Sequence, residues 1–181
     1  METIKTKIKN ARPELEAVVG SKNLLALPRL VKVVVGSGVG RMRSKERNEL
    51  VNSRLSSITG QKASPRGAKK SIASFKLREG EVIGHSVTLR GNRMYAFVDK
   101  LINVAIPRTR DFRGISISGV DKMGNLTIGI KEHIIFPETA DEDLRNVFGF
   151  SITFVTTAKN KSQAETFFKA IGIPFKKEIA K

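Results

Sequence analysis

Few side chains in this sequence are suited to covalent or acid–base chemistry. There is no cysteine, which excludes thiolate catalysis, a disulfide framework and the common Cys-ligated zinc sites. The two histidines are His85, in an alternating apolar segment, and His133, beside Glu132 in Lys131-Glu132-His133. Neither has an acidic pair at ligand spacing, so no metal site is expected, and His85 reads as a strand residue rather than a general base. Glu138, Asp141, Glu142 and Asp143 crowd one short segment. Paired carboxylates can shuttle protons, but such a crowd reads as a solvated or protein-facing acidic loop. The cluster Gly36-Ser37-Gly38-Val39-Gly40 follows a β-branched run and invites a nucleotide-binding reading. Position 41 is Arg41, not the third glycine of GxGxxG, and nothing matches GxxxxGK[ST]. Such a cluster after a strand more often marks a turn or a close backbone approach, and in an RNA binder it would bring amides up to phosphates. No catalytic residue and no cofactor are expected.

What remains is cationic. The 181 residues carry 33 Lys plus Arg against 17 Asp plus Glu, a net charge of +16, with a pI near 10.4. From Gln61 to Gly114 twelve bases face four acids, a local +8, and Arg29 to Arg47 adds +5. Between Ile115 and Phe150 the sign reverses to −3. Cations interspersed among folded-looking segments point to a polyanionic partner, that is, nucleic acid. The acidic island is either a solvent-facing loop or a dock for a basic partner, and charge does not separate the two. The start, Met1-Glu2-Thr3-Ile4-Lys5, lacks the apolar core of a signal peptide, and no apolar run approaches the ~20 residues that span a bilayer. A soluble, intracellular protein without membrane contact is expected. Ten Phe, one Tyr and no Trp argue against an aromatic platform that stacks several unpaired bases. Phe75 stands apart, beside the basic stretch Lys76-Leu77-Arg78-Glu79-Gly80, where it either anchors a loop or stacks on a base. The remaining picture is recognition of folded RNA through shape, 2′-hydroxyls and phosphates.

The elements that would hold these groups follow from hydrophobic period and punctuation. Lys5 to Val19 reads as a helix interrupted near Pro13, and Arg29 to Gly36 as a β-branched strand. Ser44 to Thr59 reads as a helix stopped by Gly60, and Lys62 to Ser74 as basic and turn-prone. Ile83 to Arg90 alternates with period two, so Val87 and Leu89 face a core while Thr88 and Arg90 share the opposite side. Asn92 to Ile106 has helical spacing, ended by Pro107. Ile115–Val120 and Asn125–Ile130 read as a hairpin around Asp121-Lys122-Met123-Gly124, and Gly149 to Ala158 as a strand. Ser162 with Glu165 forms a capping-box pattern ahead of a last helix that Gly172 stops. The expected architecture is one α+β domain over residues 1–181, a largely antiparallel sheet with helices packed mainly on one face.

Several stretches together resemble the family of the universal large-subunit ribosomal protein number five, the carriers of 5S rRNA. They are Leu27-Pro28-Arg29-Leu30 leading to Gly38-Val39-Gly40, Thr59-Gly60-Gln61-Lys62, and Ser71-Ile72-Ala73-Ser74-Phe75-Lys76-Leu77-Arg78-Glu79-Gly80. The order continues with Val87-Thr88-Leu89-Arg90-Gly91, Ile106-Pro107-Arg108-Thr109-Arg110-Asp111-Phe112-Arg113-Gly114, Ile134-Ile135-Phe136-Pro137-Glu138 and Thr156-Thr157-Ala158-Lys159. No single stretch is specific; the set, in order along nearly the whole chain, is.

The resemblance implies a structural protein of the central protuberance that binds 5S rRNA and adjacent large-subunit rRNA. It further implies a mobile loop at the peptidyl-site tRNA, and a bridge to a basic small-subunit head protein among other ribosomal proteins. On that pattern the rRNA surface would comprise Ser37, Gly38, Gln61, Lys62, Thr88 and Arg90, with Lys69 and Lys70 placed for phosphates. The tRNA-facing loop would comprise Phe75, Lys76, Leu77, Arg78, Glu79, Gly80 and Glu81, and the acidic Asp141, Glu142 and Asp143 would face the small-subunit protein. Two positions depart from the pattern of the resembling bacterial proteins. Gly36 stands where most of them have Asn, and Gly80-Glu81-Val82 stands where most carry a Gly-Tyr-Pro-like tip. Two other classes share features with this chain. A free-standing RNA chaperone or transcription factor would have the charge but little preference among nucleic acids, and a nucleotide-dependent enzyme would bind its ligand at Gly36–Gly40.

Overall fold

The computed structural model describes residues 2–40, 44–110, 112–140 and 146–176. Five strands form one antiparallel sheet: β1 (Leu30–Gly38), β2 (Ser64–Gly67), β3 (Val82–Leu89), β4 (Leu126–Ile130) and β5 (Phe150–Thr156), in the spatial order β2-β3-β1-β5-β4. The helices are α1 (Ile4–Asn10), α2 (Arg12–Val19), α3 (Lys45–Thr59), α4 (Gly91–Lys100) and α5 (Lys161–Ile171). This is the α+β class the sequence predicts. In β5 the buried Phe150, Ile152, Phe154 and Thr156 alternate with the more exposed Ser151, Thr153 and Val155, so the strand has one covered face and one open face.

The described residues cluster into two compact units. The first draws on Met1–Val33, Arg90–Ile128 and Thr153–Lys181. Here the interruption near Pro13 becomes two helices, because the chain turns at Ala11 and Pro13 sits in the first turn of α2, where its missing N–H costs nothing. Helices α1 and α2 pack on α5, and the Ile4 amide donates to Asp99 Oδ1 at 2.8 Å, which ties α1 to the end of α4. Ala164, Phe167, Phe168 and Ile171 form the buried stripe of α5, Phe168 meets Phe154 edge-on, and Gly172 stops the helix at φ +95°.

Three details of this unit correct the sequence reading. The helix expected over Asn92–Ile106 is regular only to Lys100. A π-helical turn over Leu101–Ala105 and a 3₁₀ turn over Ile106–Arg108 follow, and this change of phase buries Leu101, Ile102, Ala105 and Ile106 together. The expected hairpin shrinks to a single Val120–Leu126 bridge, because Ser116 accepts the Ser118 amide and winds Ile117–Gly119 into a 3₁₀ turn. The turn itself is held by Asp121, whose carboxylate accepts the Asn125 backbone amide at 2.7 Å and its side-chain amide at 2.9 Å, bonds that lower the Asp121 pKa. The capping box is displaced. Asn160 is the N-cap of α5, Gln163 reaches back to the Lys159 amide at 3.2 Å, and Glu165 pairs with Lys161.

The second unit draws on Val34–Leu89 and Gly129–Ile152. Helix α3 buries Val51, Leu55 and Ile58 and packs on β3, and Gly60 ends it at φ +68°, as the sequence indicates. Strand β2 falls inside the stretch read as turns. Pro65 and Gly67 mask it in the sequence, but it is an edge strand, where proline is tolerated; it pairs Ser64 with Ser86, Pro65 with His85 and Arg66 with Gly84. His133 is fully buried, stacks on Phe148 at 4.2 Å and accepts the Phe148 amide at Nδ1, so it is a packed core residue.

In the first unit, Gly114 lies at φ +97° in a close backbone approach: the Ile115 amide donates to Pro174 O and the Lys176 amide to Ile115 O. A Cβ on Gly114 would sit 2.6 Å from the Lys176 nitrogen. Gly114→Ala is expected to cost about 1–3 kcal/mol of unfolding free energy. Chemical denaturation measures it, and an unchanged midpoint would remove this backbone lock from the account.

Candidate nucleic-acid interface

The open face of the second unit begins with strand parity. In β3, Val87 and Leu89 are buried while Ser86 and Thr88 are half-exposed, the alternation expected from the sequence. Along β1, Val35 and Ser37 point inward, and Gly36 and Gly38 lie on the open side. Ser37 is therefore not presented to a ligand; it is 5% exposed and its hydroxyl donates to Gly149 O at 2.8 Å. Gly38 is exposed.

Gln61 and Thr88 are 27 residues apart in sequence and meet in space: Gln61 Nε2 donates to Thr88 O at 3.3 Å. The left-handed Gly60 turns the chain out of α3, and the Thr59 hydroxyl, between Leu55 O and Gln61 O, steadies that exit. The bond engages the Thr88 carbonyl and leaves its hydroxyl on the open side. Lys62, Lys69 and Lys70 are exposed nearby in the chain, and from Gln61 to Arg78 there is no acidic residue. Arg90 belongs to the other unit, where it is exposed and extended (φ −140°, ψ 164°) as the N-cap of α4.

Three polar groups on this face escape the sequence reading. Arg66 Nε donates to Ser86 Oγ at 2.7 Å, and Ser151 Oγ donates to Gly36 O at 3.2 Å. Ser86 shares its parity with Thr88, and Ser151 lies opposite in parity to Phe150 and Ile152; period two applied to β3 and β5 would have found both.

The loop from Ala68 to Glu81 is laced to itself. Ile72 and Leu77 exchange backbone bonds at 3.0 and 3.1 Å, the Ala68 amide donates to Glu81 O, and the Gly80 amide to Ala68 O. Lys76 takes a left-handed conformation at φ +49°. Phe75 at the tip is 69% exposed, and Lys76, Arg78, Glu79 and Gly80 are exposed as well. Leu77 is half-buried. Glu81 turns back on its own loop, where Oε2 accepts the Arg78 amide at 3.2 Å. Asp141, Glu142 and Asp143 lie outside the described residues. Among the described residues there is no group of three or more His, Asp or Glu that could hold a metal ion, and no helix is long and apolar enough to cross a membrane.

A cationic α+β fold with an open, hydroxyl-bearing sheet face is compatible with a folded polyanion as its ligand. Comparison with known proteins makes this specific. Residues 23–78 match the family model described as ribosomal protein L5, and residues 82–175 match the model of the C-terminus of the same ribosomal family. The large ribosomal subunit protein uL5 of Ureaplasma parvum is 46% identical over 91% of this chain and 90% of its own length. That of Desulforamulus reducens is 49% identical over 98% and 99%, and that of Prochlorococcus marinus 43% identical over 96% and 98%. The chain belongs to the ribosomal protein L5 family. It is a structural protein of the large ribosomal subunit, not an enzyme, and so a ribosome-bound protein of the cytoplasm.

His85 lies on the inner side of β3, buried, with neither ring nitrogen hydrogen-bonded. Burial pushes its pKa below the ordinary value of 6.5. The unfolded chain then binds a proton near pH 6.5 while the folded chain binds it only at lower pH. Stability is accordingly full above pH 6.5 and declines as pH falls through that value to the lowered folded one. Denaturant midpoints measured between neutral and mildly acidic pH should show this decline, and His85→Leu should flatten it. An equal slope in both proteins would exclude His85 as its source.

Proposed function

We propose that residues 1–181 act as one RNA-binding domain that grips 5S rRNA and adjacent large-subunit rRNA in the central protuberance. The observation that carries this reading is the meeting of Gln61 with the Thr88 carbonyl of β3, beside a stretch that holds Lys62, Lys69 and Lys70 and no acid. Thr88 and the Gln61 amide are placed to read base edges or sugar hydroxyls, and the lysines to neutralise phosphates. Gly38 offers bare backbone, Arg90 adds a cation, and Ser37 contributes by fixing β1 from within.

The loop through Phe75, Lys76, Leu77, Arg78, Glu79, Gly80 and Glu81 faces the peptidyl-site tRNA on the same reading, with Lys76 and Arg78 toward phosphates and Phe75 at the tip. The acidic Asp141, Glu142 and Asp143 face a basic protein of the small-subunit head across the subunit interface. Their crowding in a chain of net charge +16 supports a protein partner of opposite sign there.

Specificity and affinity separate in the test. Thr88→Ala should cut the preference for 5S rRNA over tRNA by about 1 kcal/mol or more. Lys62→Ala should weaken both RNAs alike and lower the log–log salt slope by roughly 0.7–0.9. Competition binding at two salt concentrations reads both, and an unchanged preference in Thr88→Ala rejects the assignment of that residue. Reversing Asp141, Glu142 and Asp143 to lysine should impair subunit joining more than rRNA binding; intact association in a sedimentation assay would reject the bridge.

A further inference from the structure

Past the end of β1 the chain leaves a hollow. The Val39 amide donates to Ile83 O at 2.8 Å, and Gly40 lies against the Ile83 side chain, where a Cβ would stand 3.8 Å from Ile83 Cβ. The start of α3 and the root of the Ala68–Glu81 loop meet over this point without closing on each other. Between them is a cavity of about 210 Å³. Val39 and Ile83 line it from the sheet, Lys45 and Asn48 from α3, and Leu77 and Glu81 from the loop, all within the second unit. Drug-sized sites begin at roughly 300 Å³, so a hollow of this volume fits a smaller ligand.

Its polar groups are mostly acceptors. Asn48 Oδ1 is buried, and no protein group donates to it. A buried acceptor left in that state costs free energy and calls for a reason. Glu81 brings a carboxylate whose one bond among the described residues is to the Arg78 amide, through Oε2, so most of its acceptor capacity is unspent. Among the described residues no cation pairs with Glu81, Lys45 included, although both line the same cavity. Val39, Leu77 and Ile83 supply aliphatic walls. An anion would meet repulsion from Glu81 and from Asn48 Oδ1, and an apolar ligand would leave both acceptors unsatisfied. A primary ammonium on an aliphatic stem serves all of these groups, with three N–H donors for the acceptors and methylenes for the walls.

We infer that this hollow at the root of the Phe75 loop is a binding site for a primary ammonium group on a short aliphatic stem, with Glu81 and Asn48 as its acceptors. The site stands apart from the RNA reading above, since RNA carries no alkylammonium group. Two sources supply that group: a free diamine or polyamine, and the lysine side chain of a neighbouring protein. Because the walls come from both the body of the unit and the loop, an occupant ties the loop to the body. Lys45 sets the limit, since its charge opposes a second ammonium inside.

Nuclear magnetic resonance titration of the free, full-length protein with 1-butylammonium, 1-butanol and butyrate tests the site. Butylammonium should shift the signals of Asn48, Leu77 and Ile83 with a dissociation constant on the order of 1 mM, and the alcohol and the acid should bind at least about tenfold more weakly. Glu81→Gln keeps an acceptor for the Arg78 amide and should weaken butylammonium about fivefold. Asn48→Leu should weaken it about tenfold, and Lys45→Ala should tighten it. Saturation should slow hydrogen exchange at the Ala68 and Gly80 amides, whose bonds close the loop root. Butane-1,4-diamine and Nα-acetyl-lysine amide, titrated in the same way, separate the sources, and the tighter of the two identifies the occupant. Equal binding of the three four-carbon probes would reduce the site to an apolar hollow and overturn it. So would unaltered binding in both Glu81→Gln and Asn48→Leu, or weaker binding in Lys45→Ala.

Discussion

The two-residue period of β3 is the constraint on which the proposed RNA-facing surface depends. Val87 and Leu89 are buried in a strand that packs on α3, and that burial forces Ser86 and Thr88 to the other side. A slip of one residue would expose Leu89 and bury Thr88, so the apolar set fixes the polar one. The sheet adds a steric pin, because a Cβ on Gly84 would stand 3.0 Å from Ser37 O, closer than side chains usually come. Gln61 then fastens the end of α3 to the Thr88 carbonyl, so a helix terminus and a strand arrive together through one hydrogen bond. Fully burying two such aliphatic side chains contributes several kcal/mol, whereas one partly exposed hydrogen bond contributes about 1 kcal/mol. Packing therefore places the surface, and the polar contact only trims it.

Charge and polar detail do different work on this surface. Lys62, Lys69 and Lys70 are exposed, with no carboxylate in the same stretch to offset them, so on the proposed reading they would act on phosphates of any polyanion and their effect would weaken with salt. Thr88, Ser86 and Ser151 carry little electrostatic reach. In Ser86 and Ser151 the donor or acceptor has its direction set by a bond already made within the protein, Arg66 to Ser86 and Ser151 to Gly36. Preset hydroxyls cost less entropy to order on binding than long free side chains do. A folded RNA with its own fixed shape is the kind of ligand such a surface suits.

Most of the fold was legible where one signal acted alone. Gly60 and Gly172 ended their helices, Pro13 divided the first one, and the alternation of β3 was read at the correct parity. The failures fall where a longer-range contact overrode a local signal. Pro65 and Gly67 argue against a strand until pairing with β3 puts them at an edge. Ile115–Val120 looks like half of a hairpin, but Ser116 winds it into a turn. The π-helical turn after Lys100 has no sequence mark, because it serves burial of Leu101, Ile102, Ala105 and Ile106 at once. The candidate face divided in the same way. Thr88 has the parity read from the alternation of β3 and Gln61 reaches its carbonyl, Ser37 faces inward because β1 has the parity of Val35, and Ser151 lies in no motif.

The charge of the loop at Phe75–Glu81 differs in kind from that of the stretch before it. Lys62, Arg66, Lys69 and Lys70 form an unopposed cationic run, whereas Lys76 and Arg78 are matched by Glu79 and Glu81. Glu81 does not simply repel a polyanion, since its carboxylate is turned onto the Arg78 amide and closes the loop. A loop without net charge releases few counterions on meeting RNA and so holds it weakly. On the reading proposed here the two partners differ in the same sense. The rRNA stays in place for the life of the particle, and a tRNA must leave after each step. Unopposed cations suit the first, and a balanced, internally bonded loop with an exposed Phe75 suits a contact that forms by shape and lets go.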